Sequence, residues 1–158
     1  MIAAIRSDAR AAREVRLRQT IAELEAVDDW HAIILAQAGI GAFDWPLNSD
    51  RFYMSPIFKS LLGYDEEDIP NTYTTWLNHV HSDDRDRIFH ELTTPDERYE
   101  TILRMRHRDG STLWFLIRTS VRCNSNREPE RLFGAAIDIT NFQEELTEVM
   151  TEERQRTA

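Results

Sequence analysis

The sequence predicts an α+β fold, an antiparallel sheet with short helices gathered on one side and a helix at each end. Three observations predict it. Residues 8–38 contain neither Gly nor Pro and are rich in Ala, Arg, Glu and Leu, all strong helix formers. The runs "RYETILRMRHR" and "TLWFLIRTSVRC" flank Asp109-Gly110-Ser111, the strongest hairpin signal in the chain. Last, "FGAAIDITNFQEEL", Phe133 to Leu146, reads as a strand up to Ile139 and as an acidic helix from Asn141.

Taken in order, the long N-terminal helix carries Leu17, Ile21, Leu24, Val27 or Asp28, His31 and Leu35 at three- and four-residue steps, an interrupted apolar stripe. That stripe is narrow, closer to a coiled-coil seam than to the buried face of a globular helix. "VDDW" at 27–30 predicts a break or a fresh N-cap before a second short helix over 30–38, which Gly39 and Gly41 stop. "IGAFDWPL" and "RFYMS" are short aromatic strands joined by the turn trio Asn48 to Asp50. Ser55-Pro56 reads as an N-cap followed by Pro at the first helical position, opening a helix over "PIFKSLLG". "DEEDIP", "TYTTWLNHV" and "SDDRDRIFHEL" are predicted as further short helices, with Asp83 and Asp84 suited to the positive end of a helix dipole. After the hairpin, a polar loop "NSNREPE" leads to the final strand "RLFGAAIDI". Thr140 and Gln143 have the spacing of a capping box at the start of the last helix.

Composition narrows the function classes. The 158 residues suit one domain with helical excess at its ends, and a hydrophobic fraction of 41% supports a core. A net charge of −9 argues against nucleic acid, which needs a clustered positive surface. The arginines Arg6, Arg10, Arg13, Arg16 and Arg18 are interleaved with Ala and Glu and read as one solvated helix face. A single cysteine, Cys123, excludes an internal disulfide and a Cys-based zinc site. No apolar run approaches the roughly 18 residues of a membrane span, and no signal peptide opens the chain, so the expected compartment is the cytoplasm.

Four words in order and spacing resemble a PAS domain of the subclass with a C-terminal PAC segment: "SPIFKSLLGY", "WLNHVHSDDRDRI", "RHRDGSTLW" and "GAAIDIT". The resemblance covers roughly residues 38–142. It implies a five-stranded antiparallel sheet in the order 2-1-5-4-3, short helices over one face enclosing a small cavity, and helices extending from both ends. It also implies that Asp138 pins the strand–helix junction; its partner is open, an arginine of a neighbouring strand being one candidate. The expected organisation is an N-terminal helical extension over 1–37, the PAS/PAC domain over 38–140 and a signalling helix over 141–158.

No catalytic set is found. Asp65, Glu66, Glu67 and Asp68 fit a solvated linker, and there is no glycine-rich phosphate loop or placed nucleophile. His79 and His81, two apart, would point away from each other on a helix, so no metal is expected. Photochemical flavin members of the family carry a cysteine in an Asn-Cys-Arg-Phe-Leu-Gln setting, which is absent here. Haem-binding members take a histidine near the position of His90, but the exit "HELTTPDERYE" is short for a macrocycle, and a surface histidine is the expectation.

A small apolar cavity, or none, is what remains. Strand alternation places Leu113, Phe115, Ile117, Thr119 and Val121 on one face of the fourth strand and Trp114, Leu116, Arg118 and Ser120 on the other. Candidate cavity liners are Phe43, Phe52, Met54, Phe58, Leu62, Trp76, Leu103, Met105 and Phe115, for each of which core packing is the plainer role. The expected function is a cytoplasmic sensor of a small ligand or partner. Its relay is Asp138, Thr140 and Gln143, and its output goes to an effector such as a histidine kinase or diguanylate cyclase. Leu17, Ile21, Leu24, Phe142, Leu146 and Val149 are the expected homodimer contacts. The alternatives are a constitutive homodimerisation module without ligand and a haem or flavin redox sensor.

Overall fold

The computed structural model describes residues 2–93 and 98–156, with side chains described outside 2–10, 24–25, 27–29, 92–93 and 98. Leu24, an expected dimer contact, therefore lies outside the described side chains. Two compact units divide at residues 38 and 39.

The first unit is one helix, α1 (Ile2–Gln37). The break expected at 27–30 does not occur. Val and Asp are only mildly unfavourable inside a helix, by a few tenths of a kcal/mol each, and neither Gly nor Pro interrupts the run. Leu17 and Ile21 are exposed on this helix, as are Val15, Trp30, Ile33 and Ile34.

The second unit is built on five antiparallel strands: β1 (Ile40–Pro46), β2 (Tyr53–Met54), β3 (Arg98–Arg106), β4 (Thr112–Cys123) and β5 (Pro129–Asp138). Their order in the sheet is β2-β1-β5-β4-β3, the order that the family resemblance implies. The hairpin forms where Asp109-Gly110-Ser111 places it. Gly110 adopts φ of +91°, and His107 N donates to Ser111 O at 2.9 Å. β2 is shorter than "RFYMS" suggests because the loop around Asn71 takes its edge bonds. Phe52 N donates to Asn71 O at 3.2 Å and Met54 N to Asn71 Oδ1 at 3.0 Å.

Helices α2 (Pro56–Leu61), α3 (Tyr73–His79) and α4 (Ser82–Thr93) connect β2 to β3. Ser55 caps α2 as expected, accepting from Phe58 N at 3.2 Å. The same oxygen accepts from Ala42 N at 2.9 Å, tying α2 to β1. "DEEDIP" is a turn, not a helix. Pro70 has no N–H to return a helical bond to Glu66 O. Lys59, only 2% exposed, satisfies that carbonyl instead, sending its ammonium to Glu66 O at 2.6 Å and Ile69 O at 2.9 Å. The core lies between these helices and one sheet face, and α5 (Thr140–Arg156) follows β5 after a single residue.

Candidate functional site

The cavity and relay residues singled out in the sequence fall in two places, the core and the junction between β5 and α5. All nine cavity candidates fall in the buried core cluster. They are packed ring against ring. Phe43 stacks on Phe52 at 5.5 Å and Phe52 on Trp76 at 4.8 Å, while Phe58 tilts against Phe115 at 5.9 Å. The faces of β4 divide as alternation predicts: Phe115, Ile117 and Thr119 are buried, Leu113 and Val121 pack partly, and Trp114, Leu116 and Ser120 are half-buried on the other side.

One polar atom in this aromatic region is left over. Tyr73 stacks on Trp45 at 4.4 Å, and its buried hydroxyl has no hydrogen-bond partner among the described residues. Burial pushes the phenol above its ordinary value, so the group stays protonated and keeps a donor to offer. Nothing in the local pattern of "NTYTTW" marks Tyr73 out, because its surroundings include Trp45 of β1 and Phe52 just before β2.

The junction is built from β4, β5 and the first residue of α5. Asp138 Oδ1 accepts from Thr140 N at 2.9 Å and from Thr140 Oγ1 at 2.6 Å. The partner of Asp138 is therefore Thr140, not an arginine. Thr140 Oγ1 in turn accepts from Trp114 N at 3.0 Å, and Ile139 N donates to Trp114 O at 2.8 Å. This replaces the expected capping box. The threonine oxygen serves the strand amide, and Gln143 N donates to Ile139 O at 3.0 Å. Gln143 lines an open groove of about 520 Å3 beside Trp114. Phe142, Leu146 and Val149 are exposed along α5.

A side-chain relay meets this junction from the helical layer. Asp84, in the first turn of α4, accepts from Arg104 N at 2.9 Å, Arg104 Nε at 3.1 Å and Arg104 Nη2 at 2.9 Å. Those guanidinium bonds hold the Asp84 carboxyl below the ordinary aspartate range, against the opposing effect of burial. The Arg104 guanidinium also lies over the Trp114 ring at 5.6 Å. The contacts thus run from α4 through β3 and β4 to the residue that starts α5. Sequence reasoning does not find Asp84 and Arg104, which are twenty positions apart.

A second buried network joins α4 to β3. Thr101 Oγ1 donates to Glu91 Oε2 at 3.1 Å, and Arg87 reaches Glu91 at 3.0 Å. Burial, reinforced by its bond to Glu91, pushes the Tyr99 phenol up to about 12. On the far side of the sheet Arg131 pairs with Asp44 through two hydrogen bonds.

His90 is exposed, and on α4 it is turned nearly half a circle from buried Ile88, so it does not face the core. His79 Nδ1 meets Thr75 O at 2.8 Å within α3, whereas His81 Nδ1 accepts from Asp83 N at 3.3 Å at the start of α4, so the two histidines serve separate helices. Among the described residues no group of three His, Cys, Asp or Glu could hold a metal ion. Among those residues, too, no helix is long and apolar enough to cross a membrane.

A family model described as PAS fold matches residues 51–136, more than half of the chain. The chain belongs to the PAS family. A crystal structure of a sensory box histidine kinase/response regulator from Burkholderia thailandensis is 30% identical, covering 80% of this chain and 98% of that one at a TM-score of 0.66. The N-terminal domain of a diguanylate cyclase with PAS/PAC sensor from Marinobacter aquaeolei is 22% identical, covering 66% of this chain and 98% of that one at a TM-score of 0.56. A PAS domain from Colwellia psychrerythraea is 18% identical, covering 73% and 98% at a TM-score of 0.56. These last two share the fold. No curated protein matches the chain. It is a PAS domain, similar in sequence to that of a sensory box histidine kinase/response regulator and in fold to the N-terminal domain of a diguanylate cyclase.

Proposed function

We propose that this PAS domain senses a small, mostly apolar ligand or a partner in the cytoplasm and relays the change through α5 to an effector. That effector would be of the histidine kinase or diguanylate cyclase type. The domain itself would carry out no catalysis. The observation that carries the relay is Trp114. Its backbone N–H and C=O both bond to the start of α5, and its ring lies under an arginine that α4 holds. A shift of α4 against the sheet therefore reaches α5 through three consecutive polar contacts. A two-state shift of a few kcal/mol is enough to switch an attached domain. The unpartnered hydroxyl of Tyr73 supports the ligand half of the reading, since a ligand acceptor there would satisfy a buried donor. The lone exposed thiol, Cys123, suits a reducing compartment.

A second reading, a constitutive homodimerisation module, is favoured by a different observation. The nine candidate liners are packed against one another, while Leu17, Ile21, Phe142, Leu146 and Val149 stand exposed. Native mass spectrometry separates the two. A bound small molecule retained in the folded species supports sensing, and an empty dimer supports the scaffold. A monomer at high concentration that is unaffected by Leu17→Glu would overturn the dimer in both. A haem or flavin sensor, the third alternative, requires visible absorption, so colourless protein rules it out.

A further inference from the structure

We propose that a second site, separate from the aromatic core, binds a small oxyanion in the cleft between the α3–α4 connection and the β3–β4 hairpin. The cleft has a volume of about 320 Å3, at the lower end of the roughly 300–1,000 Å3 of small-molecule sites. Arg85, Arg106, His81, Ser82, Thr112 and Asn78 line it, and among the described residues no carboxylate does. That is unexpected in a chain with 28 Asp and Glu and a net charge of −9.

Of the local acids, Asp84 and Asp109 are committed elsewhere, and Asp83 is largely exposed beside the cleft. Asp84 is held by Arg104 at 2.9 Å, and Asp83 lies 3.9 Å from Arg104 and 3.8 Å from the Nδ1 side of His81. Asp109, the acid of the hairpin turn, is bound by Ser111 Oγ at 2.6 Å and lies 2.9 Å from His107 Nδ1. Among the described residues, the two arginines of the cleft are left without a counter-ion.

Their geometry suits capture of an anion. Arg85 is braced, with Nε donating to Val80 O at 3.0 Å and Nη2 to Asn78 O at 3.3 Å, which leaves Nη1 for a ligand. A guanidinium fixed by two carbonyls loses little freedom on binding. Arg106 pairs through its backbone with Thr112, and its guanidinium has no hydrogen-bond or ion-pair partner among the described residues. His81 accepts at Nδ1 from Asp83 N, which puts the ring proton on Nε2 as a further donor. A phosphoryl group and a carboxylate share the required chemistry: two or more oxygens that accept from two guanidinium groups.

The test is a chemical-shift titration of the full chain with inorganic phosphate and, separately, with malonate, at ionic strength held constant with chloride. Saturable shifts confined to the amides around His81, Arg106, Gly110 and Thr112, with a Kd on the order of 1 mM, are expected. Phosphate alone, malonate alone or both would each support the site and name its source chemistry. Arg106→Gln should weaken binding about tenfold, because hydrogen bonds to charged groups are the strong ones. Arg106 is exposed and its side chain forms no described bond, so that variant should keep the wild-type melting temperature. Absence of saturable shifts with both anions, or equal affinity in Arg106→Gln, overturns the proposal.

Discussion

Replacing Thr140 with Val tests the junction directly, because the shape of the side chain is kept and only the hydroxyl is lost. Two hydrogen bonds go with it: Trp114 N to Thr140 Oγ1 at 3.0 Å, and Thr140 Oγ1 to Asp138 Oδ1 at 2.6 Å. The second is exposed and contributes about 0.5 kcal/mol. The first leaves a half-buried strand amide without an acceptor, which costs about 1–3 kcal/mol when no water replaces it. The sum is about 2 kcal/mol. For a domain of this size, at about 4 °C per kcal/mol, the melting temperature should fall by about 8 °C. Thr140→Ser keeps the oxygen and should lose less than about 2 °C. Amide hydrogen exchange gives the local reading: Trp114 N–H and the first turn of α5 should exchange about 30-fold faster in the valine variant, given about 1.4 kcal/mol per decade. Equal exchange at Trp114 in wild type and Thr140→Val would refute the reasoning, whatever the melt shows.

Tyr73→Phe removes a buried donor that has no partner among the described residues, so it should raise the stability of the ligand-free protein by about 1 kcal/mol; a lower melting temperature would show that the hydroxyl is satisfied in solution. Asp84 has a folded pKa below its unfolded value, so its contribution is complete above the ordinary 3.8 and is lost as pH falls through the folded value. Asp84→Asn should therefore be destabilised at pH 7, with the gap to wild type closing as urea melts are taken below pH 3.8; a gap independent of pH would contradict the pairing with Arg104. At Gly134 a Cβ would lie 1.9 Å from Arg118 O, a clash with backbone on the neighbouring strand. Gly134→Ala should cost about 3 kcal/mol or more, and a variant that melts like wild type would mean that β4 and β5 are less closely apposed.

How far the sequence reveals this protein depends on the distance between partners. The Ser55 cap and the turn at Gly110 are legible because their bonds span only a few residues, whereas Asp138 is placed at the junction without its partner, Thr140, being found. The aromatic core is legible from composition and alternation, which is why all nine candidates are buried. Thr140 misleads because its hydroxyl is claimed by Trp114, twenty-six positions earlier, so the capping-box spacing with Gln143 does not decide its use. In "DEEDIP" Pro70 withholds the N–H a helix would need, and the carbonyls of the turn are met by the ammonium of Lys59 from another segment. The Asp84–Arg104 pair and the orphaned Tyr73 hydroxyl have no local signature at all, because each is defined by what other segments bring to it.

The anchoring of Thr140 to a sheet amide has a consequence for anything joined beyond α5. A helix whose first residue is clamped has a defined rotational phase. Each residue added to it turns an attached domain by about 100° and carries it about 1.5 Å further along the axis. Inserting one residue after Arg156 would swing such a domain about a quarter of a turn, whereas seven residues would bring it back to within about 20°. Output from fusions to this domain should therefore rise and fall with linker length at a seven-residue period, like a gear that engages only when its teeth align.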